Sequence, residues 1–169
     1  MKRDRRFLKI AQGALFAAIV FVSTALFPIP ILATEGYIHA GDAVIYLAAC
    51  LLPTPVAVAA AVIGAGVADF LLAPVYLPAT VIIKACLALV FTSKGEKILT
   101  KRNIIAPFVC AFITVIGYAL TDAVIFSSVA AGVACVVMNS VQAAGSAAIY
   151  FVISIVLDRL GVKKRFWRV

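Results

Sequence analysis

The chain alternates between long apolar runs and short polar connections. A transmembrane helix needs about 20 predominantly apolar residues, because the hydrocarbon core is about 30 Å thick and a helix rises about 1.5 Å per residue. Repeated apolar runs are typical of a helical bundle, whereas a membrane barrel shows weakly alternating strands. The pattern predicts one all-α membrane domain over residues 1–169, a bundle of six transmembrane helices with spans at about 7–27, 42–52, 56–72, 75–91, 104–126 and 132–157.

The composition supports a membrane location. Hydrophobic residues make up 65% of the 169 residues and the mean hydropathy is +1.16. Only 13% of the residues are charged, whereas a soluble domain carries about 25%. The four cysteines all fall inside apolar runs without metal-ligand spacing, which is typical of small buried apolar side chains. The sequence therefore predicts no disulfide, no metal site and no cofactor.

The basic residues predict how the chain crosses the membrane. Of the 15 Lys and Arg side chains, 14 lie in three clusters: before span 1, between spans 4 and 5, and after span 6. Because basic residues gather on the cytoplasmic side, six crossings with both termini in the cytoplasm place all three clusters inside. The short span 2 is then expected to be tilted, to lie in thinner bilayer or to extend into the preceding loop. The net charge of +8 reflects topology and lipid headgroups rather than nucleic-acid binding.

The connection between spans 1 and 2, residues 28–47, carries no Lys or Arg but a dense set of polar side chains. Prolines at its start stiffen the chain, while Gly36 and Gly41 permit turns. The polar side chains are Glu35, Tyr37, His39 and Asp42. This combination predicts a lid or binding loop at the membrane edge, and an ordinary outside loop is the alternative.

Lys84 lies near the middle of span 4, where a charged side chain costs roughly 2.5–3.5 kcal/mol on insertion scales. It therefore requires water or a partner. The candidate partners are Asp42, Asp69 and Asp122. A purely structural ion pair would make the chain a structural or assembly membrane protein without a ligand, and this remains the alternative to a binding site.

Other polar residues fall in the outer halves of the spans, and the inner halves carry almost nothing comparable. Tyr118 and Asp122 are four residues apart and share one helix face, as do Asn139 and Gln142, which are three apart. Such faces, turned inward, predict an outward-facing cavity for a small, polar, ring-bearing ligand. An enzyme is not predicted, because the only histidine lies in a loop and no catalytic or nucleotide-binding motif occurs.

Span 1 carries small residues on one face, formed by Ala11, Ala14 and Ala18. Faces of this kind let another helix approach closely in lipid. The residues alone leave two possibilities equally open, packing inside the bundle and contact with a partner.

Four stretches of the chain resemble the substrate-binding S components of energy-coupling factor (ECF) vitamin transporters. They are GALFAAIVFVSTALFPIPI, GYIHAGDAVIYLAACLL, AAVIGAGVADFLLAPVYLPATVIIKACLALV and the late NSVQ. The resemblance covers nearly the whole chain and is strongest to the riboflavin-type subgroup, which also holds pyridoxine and hydroxymethylpyrimidine relatives. One departure is the LLPTPVAV turn between spans 2 and 3, where relatives usually show a GP-like turn.

The resemblance implies a multi-pass protein of the bacterial cell membrane that binds a vitamin at an outward-facing site. It implies that Ala14 and Ala18 dock on a membrane coupling subunit, and that two ATPase subunits drive transport. The substrate contacts that it implies are Tyr37, His39, Lys84, Tyr118, Asp122, Asn139 and Gln142. A pyridine of the B6 type or a pyrimidine would suit the polar side chains of spans 5 and 6, whereas a flavin needs a larger cavity. The resemblance itself favours the riboflavin type.

Overall fold

The computed structural model describes residues 2–26, 29–30 and 37–166, with the side chains of residues 6–26 and 39–164. Almost all of this part of the chain is helical. The helices are α1 (Lys2–Ala25), α2 (Gly41–Leu51), α3 (Thr54–Leu72), α4 (Leu77–Val90), α5 (Lys101–Ile125), α6 (Val129–Arg159) and α7 (Val162–Phe166). Two short strands, β1 (Ile29–Pro30) and β2 (Tyr37–Ile38), pair antiparallel between α1 and α2. A 3-10 turn, Pro74–Tyr76, leads into α4.

The helices have the lengths and surfaces of a membrane protein. Helices α3, α5 and α6 and the segment Arg6–Ala25 of α1 are long and apolar enough to cross a bilayer, and α2 and Pro74–Val90 are shorter apolar helices. Large apolar side chains point outward along them; Phe108 and Phe112 of α5 are each 69% exposed. Such a surface suits lipid rather than water. The all-α membrane fold is confirmed, while the six crossings and their direction remain predictions.

Helix α2 lies at the centre of the bundle. It packs against α1, α3, α4 and α6, and the remaining neighbours pack as α1 with α3, α3 with α4, α4 with α5 and α5 with α6. Every residue of α2 except Val44 is buried. A helix that is hydrophobic on all sides belongs in a core, so the shortest predicted span is the one that the longer helices surround.

Small residues bring α1 and α3 into close contact. A Cβ atom added at Gly64 would lie 2.5 Å from the carbonyl oxygen of Ala17 and 2.7 Å from Cβ of Val20, so any larger residue would push the helices apart. Ala14 and Ala18, on the neighbouring face of α1, are exposed. The contact between α1 and α3 therefore uses Ala17 and Gly64, and the predicted face with Ala14 and Ala18 is left exposed.

We call the end of the bundle with β1 and β2 the hairpin half, and the end with the chain termini the terminal half. In the terminal half, the loop between α4 and α5 is held by side chains from the end of the chain. The Asp158 carboxylate accepts the backbone N–H groups of Ile98, at 2.7 Å, and Leu99, at 2.9 Å. The Lys163 ammonium, on a residue only 1% exposed, donates to the carbonyl of Lys97 at 3.0 Å.

Asn103, in the first turn of α5, completes this attachment. Its amide nitrogen donates to the carbonyls of Thr92 and Ile98, both at 2.8 Å, and its amide oxygen accepts the N–H of Thr92 at 2.9 Å. Pro107 has no N–H to offer the carbonyl of Asn103 four residues earlier. That carbonyl accepts the Tyr150 hydroxyl of α6 instead, at 3.2 Å.

The expectation that the terminal halves of the helices carry almost no buried polar residues is therefore wrong. Asn103 is 0% exposed and Tyr150 is also 0% exposed. The physical reason is that the loop between α4 and α5 folds back into the bundle, so its buried backbone groups require hydrogen-bond partners. We refer to Asp158, Lys163, Asn103 and Tyr150 as the terminal cluster.

Candidate functional site

A buried ion pair joins α2 and α4 in the hairpin half. The Lys84 ammonium lies 2.7 Å from Oδ1 of Asp42, and the two side chains are 1% and 0% exposed. Asp42 stands in the first turn of α2, where the helix dipole stabilises a negative charge. The Lys84 nitrogen also lies 5.3 Å from the centre of the Tyr118 ring of α5, a cation–π distance. Of the three partners considered from the sequence, the structure selects Asp42.

The Gln142 side chain of α6 connects this ion pair to the chain that follows β2. Its amide nitrogen donates to Oδ2 of Asp42 at 3.1 Å, and its amide oxygen accepts the backbone N–H of His39 at 3.2 Å. The imidazole Nδ1 of His39 in turn accepts the N–H of Gly41 at 3.0 Å. A Cβ atom at Gly41 would collide with the Thr24 hydroxyl of α1, so only glycine fits here.

The His39 imidazole is uncharged at neutral pH in this position. Burial lowers the pKa of His39 to about 4, and the nearby Asp42 carboxylate opposes that shift only in part. A neutral ring is also required by its hydrogen bond, because Nδ1 accepts from Gly41 and cannot then carry a proton.

A second group of polar side chains joins α3, α4 and α5 beside the ion pair. The Thr80 hydroxyl donates to Oδ2 of Asp69 and shares a hydrogen bond of 2.8 Å with the Tyr118 hydroxyl. The Tyr76 ring contacts the Tyr118 ring edge-on, with centroids 6.3 Å apart. Tyr118 thus connects the ion pair with this second group, because its ring contacts the Lys84 ammonium and its hydroxyl is hydrogen-bonded to Thr80.

Asp122 and Asn139 lie between α5 and α6, near the same end of the bundle. Asp122 is 2% exposed, and its Oδ1 has no hydrogen-bond partner among the described residues. The Cys135 thiol of α6 lies beside this carboxylate. The Asn139 amide nitrogen donates to the carbonyl of Cys135 at 3.1 Å, within its own helix.

Comparison with known families decides what kind of protein carries this site. The profile described as ECF-type riboflavin transporter, S component, matches residues 6–159, which is nearly the whole chain. The chain belongs to this family of S components. A search among curated proteins gives no match. Membership makes the protein a vitamin-binding subunit of a transporter that works with the other proteins of an ECF module.

The S component brings most of the predicted site residues together. His39, Lys84, Tyr118 and Gln142 lie in one connected network around Asp42. Asp122 and Asn139 both lie beside Cys135, one helical turn from Tyr118 and Gln142 respectively. The backbone of Tyr37 lies in β2, and its side chain is outside the described residues.

Sequence reasoning did not assign Asp42, Asp69 and Thr80 to the site. Asp42 was counted among the polar side chains of the connection between spans 1 and 2, and both carboxylates were considered as counter-ions for Lys84. Thr80 lies four residues before Lys84 on α4, and this spacing placed it on the same helix face as the lysine. That spacing was the signal from which its position could have been found.

The predicted partner face lies on a separate surface. Ala14 and Ala18 line an apolar groove of about 590 Å³ between α1 and α3, whose other wall includes Pro55, Ala59 and Ile63. The groove runs along the outside of the bundle, whereas the polar network lies within it. The S component therefore carries two distinct candidate surfaces, one polar and buried, the other apolar and open.

Proposed function

We propose that this S component captures a small water-soluble vitamin in the hairpin half and releases it to the cell with the help of its partner proteins. The observation that supports this most is the connected set of buried polar side chains from α2, α4, α5 and α6 close to the hairpin. Such a set is expensive in a membrane unless it serves a ligand or a transport step. Under the predicted topology, this half faces the outside.

Riboflavin is the substrate that we favour, because the matching family is described by that vitamin. A pyridine of the B6 type or a hydroxymethylpyrimidine is the second candidate. Asp122, Asn139 and Gln142 offer hydrogen-bond donors and acceptors that suit the edge of a nitrogen heterocycle. All three candidates are ring-bearing molecules of the kind expected in a pocket with a few placed polar groups.

The proposed roles of the site residues follow from their positions. Tyr118 is placed to contact a ring, while Lys84 and Gln142 are placed to bind polar groups of the vitamin. His39 and Tyr37 belong to the connection between α1 and α2, from which they would contact the ligand on the hairpin side. Asp122 and Asn139 would bind its far edge.

We further propose that the groove containing Ala14 and Ala18 receives the membrane coupling subunit, and that two ATPase subunits supply the energy. The exposed small side chains on α1 permit the close helix approach that membrane interfaces use. Tryptophan at both positions should abolish co-purification with the coupling subunit while leaving vitamin binding intact. The matched control is Ala144→Trp on the exposed face of α6, which should not affect assembly. Equal loss of assembly in both variants would argue against the groove.

Native mass spectrometry of the protein purified from vitamin-containing medium tests the binding function. We expect a retained small molecule at one copy per chain, and a rise in Tm when riboflavin is added to emptied protein. Absence of any retained molecule, together with no Tm response to riboflavin, pyridoxine or the pyrimidine, would rule the function out. We expect the protein in the plasma membrane of a bacterial cell, which fractionation would test.

A purely structural role is the alternative for the ion pair, because the pair of Lys84 and Asp42 is closed and fully buried. In that case the pair contributes only to folding, and the double variant Lys84→Met with Asp42→Asn should fold normally without any loss of vitamin uptake. Our proposal expects the double variant to fold and to lose uptake. The two outcomes separate the candidates directly.

A further inference from the structure

Two buried hydroxyl groups in the middle of the bundle have no hydrogen-bond partner among the described residues. They belong to Thr114 of α5 and Ser146 of α6, which are 0% and 1% exposed. A hydroxyl on an apolar helix commonly bonds back to a carbonyl of its own helix. The hydroxyls of Thr121 and Ser140 do so, at 2.8 and 2.7 Å, whereas those of Thr114 and Ser146 do not. Burying a hydroxyl without a partner is costly, so these two groups need an explanation.

The contacts between α2 and α6 bring Ser146 to the level of Tyr46. Two pairs of side chains meet across these helices: Asp42 with Gln142, at 3.1 Å, and Cys50 with Tyr150, at 3.5 Å. Both helices advance by eight residues from the first contact to the second, so they run in the same direction with one register. Tyr46 and Ser146 stand halfway between the contacts on their helices and therefore lie at the same level. Tyr46 is 0% exposed.

Helix α5 brings Thr114 to this level from a third side. Tyr118, one turn after Thr114, places its ring 5.3 Å from the Lys84 ammonium. Cys110, one turn before Thr114, places its thiol beside the Tyr46 hydroxyl, for which a thiol is only a weak hydrogen-bond partner. The hydroxyl-bearing side chains of three helices therefore lie at one level, next to the ion pair and on the side of it that faces the terminal half.

We propose that ordered water molecules bind between α2, α5 and α6 at this level, in hydrogen bonds to the hydroxyls of Thr114, Ser146 and Tyr46. A hydroxyl both donates and accepts hydrogen bonds, and water is the ligand that does the same. The three side chains carry no charge, which argues against an ion as the occupant. None of them belongs to the proposed vitamin contacts, so this inference stands apart from the proposed function.

Bound water at this level also serves the ion pair. The Lys84 ammonium has three N–H groups, and Asp42 is its one hydrogen-bond acceptor among the described residues. Water beside the pair can accept a further N–H, which helps the pair to remain charged inside the membrane.

Labelling by hydroxyl radicals tests the proposal on the unmodified protein. A brief X-ray pulse converts water, including water bound inside a protein, into radicals that oxidise the side chains next to it. The matched pair is Tyr46 and Tyr150, which are both 0% exposed, with ring centres 5.9 Å apart. The Tyr150 hydroxyl already has protein partners, the carbonyl of Asn103 and the thiol of Cys50. In nanodiscs we expect mass spectrometry to find Tyr46 oxidised several times faster than Tyr150, and equal rates would overturn the proposal.

Removing one hydroxyl with a side chain of the same shape gives an independent test. Thr114→Val should lower the Tm by about 2–4 °C, because the hydrogen bonds between bound water and the hydroxyl are lost. A hydroxyl that has no partner at all predicts the opposite sign, since valine then removes an unsatisfied buried group. The control is Thr121→Val, which gives up only a bond to its own helix, at 2.8 Å, and should shift the Tm less. A raised or unchanged Tm in Thr114→Val would overturn the proposal.

The double variant Thr114→Val with Ser146→Ala joins the two tests. Loss of the bound water should bring the oxidation rate of Tyr46 down to that of Tyr150, a change that lost packing alone would not produce. If Tyr46 in the folded double variant is oxidised as fast as in the unmodified protein, these hydroxyls do not hold the water and the proposal fails. The labelling of the unmodified protein decides the question even if the variants fold poorly.

Discussion

Two groups of buried polar side chains lie in opposite halves of this bundle, and they differ in the kind of partner they bind. In the terminal cluster, Asp158, Lys163 and Asn103 bind backbone groups of the loop between α4 and α5. In the hairpin half, Asp42, Lys84 and Gln142 bind one another across three helices, and Gln142 also accepts one backbone N–H, that of His39. Nearby, Oδ1 of Asp122 has no hydrogen-bond partner within the part of the chain that the structure describes.

This difference indicates which group is structural and which can exchange partners. Backbone groups of a buried loop cannot be left without hydrogen bonds, so the terminal cluster has a fixed task. Side chains that bind mainly one another can reorganise around a ligand, because each has other rotamers and only the N–H of His39 depends on them. Burial of polar groups alone therefore does not identify a site; the nature of their partners does.

The largest effect is expected from separating the ion pair. Lys84→Met leaves the Asp42 carboxylate buried without its cation, which should cost about 3–5 kcal/mol in the free energy of unfolding. Adding Asp42→Asn removes the stranded charge and keeps an acceptor for Gln142, so the double variant should recover most of that loss. Unfolding in a denaturing detergent titration measures both. If the single and double variants are equally destabilised, the ion pair is not the organising contact of this half.

A loss of stability of similar size, but with no loss of binding, is expected in the terminal cluster. Asp158→Ala removes the acceptor of two backbone N–H groups, and hydrogen bonds to charged groups contribute about 1.5–3 kcal/mol each. We expect a clear drop in Tm and an unchanged vitamin affinity at temperatures where the variant is folded. Weaker vitamin binding by folded Asp158→Ala would remove the distinction between the two groups.

The smallest predicted effect is the pH dependence of stability that comes from His39, next to the hairpin. Because burial lowers the pKa of His39 to about 4 from 6.5, the unfolded chain takes up a proton before the folded protein does. The contribution of His39 is therefore complete above about pH 6.5 and is lost as the pH falls toward 4. The loss should be at most about 3 kcal/mol in unfolding free energy, since one pKa unit corresponds to about 1.4 kcal/mol. His39→Asn keeps an acceptor for the N–H of Gly41 but does not titrate, so the Tm of this variant should fall less between pH 6.5 and pH 4 than the Tm of the unmodified protein. If Tm falls equally with pH in both proteins, His39 is not the titrating group.

The apolar runs were enough to predict the helices, but not their arrangement. The lack of any polar face along α2 could have indicated a central position, since such a helix needs cover on all sides. The choice of Asp42 over Asp69 and Asp122 as the partner of Lys84 could not be made, because all three lie at similar depths and only the packing of α2 against α4 sets the distance.

The terminal cluster was missed although the sequence held hints of it. Asp158 stands at the end of α6, where the helix dipole disfavours a negative charge, so a carboxylate there requires donors from elsewhere. Pro107 within α5 leaves one carbonyl without its helical donor, which called for a partner such as Tyr150. Both hints indicate that a hydrogen-bond partner is needed, but the partners are distant in sequence and could be identified only from the fold.

The central claim is that a vitamin binds among the side chains of the hairpin half and not elsewhere. Riboflavin titration by calorimetry into three proteins tests it most directly: the unmodified chain, the double variant Asp42→Asn with Lys84→Met, and Asp158→Ala. We expect tight binding by the first and third and at least about a tenfold loss in the second, the size expected when a buried polar contact is removed. Equal affinity of all three folded proteins would contradict the claim.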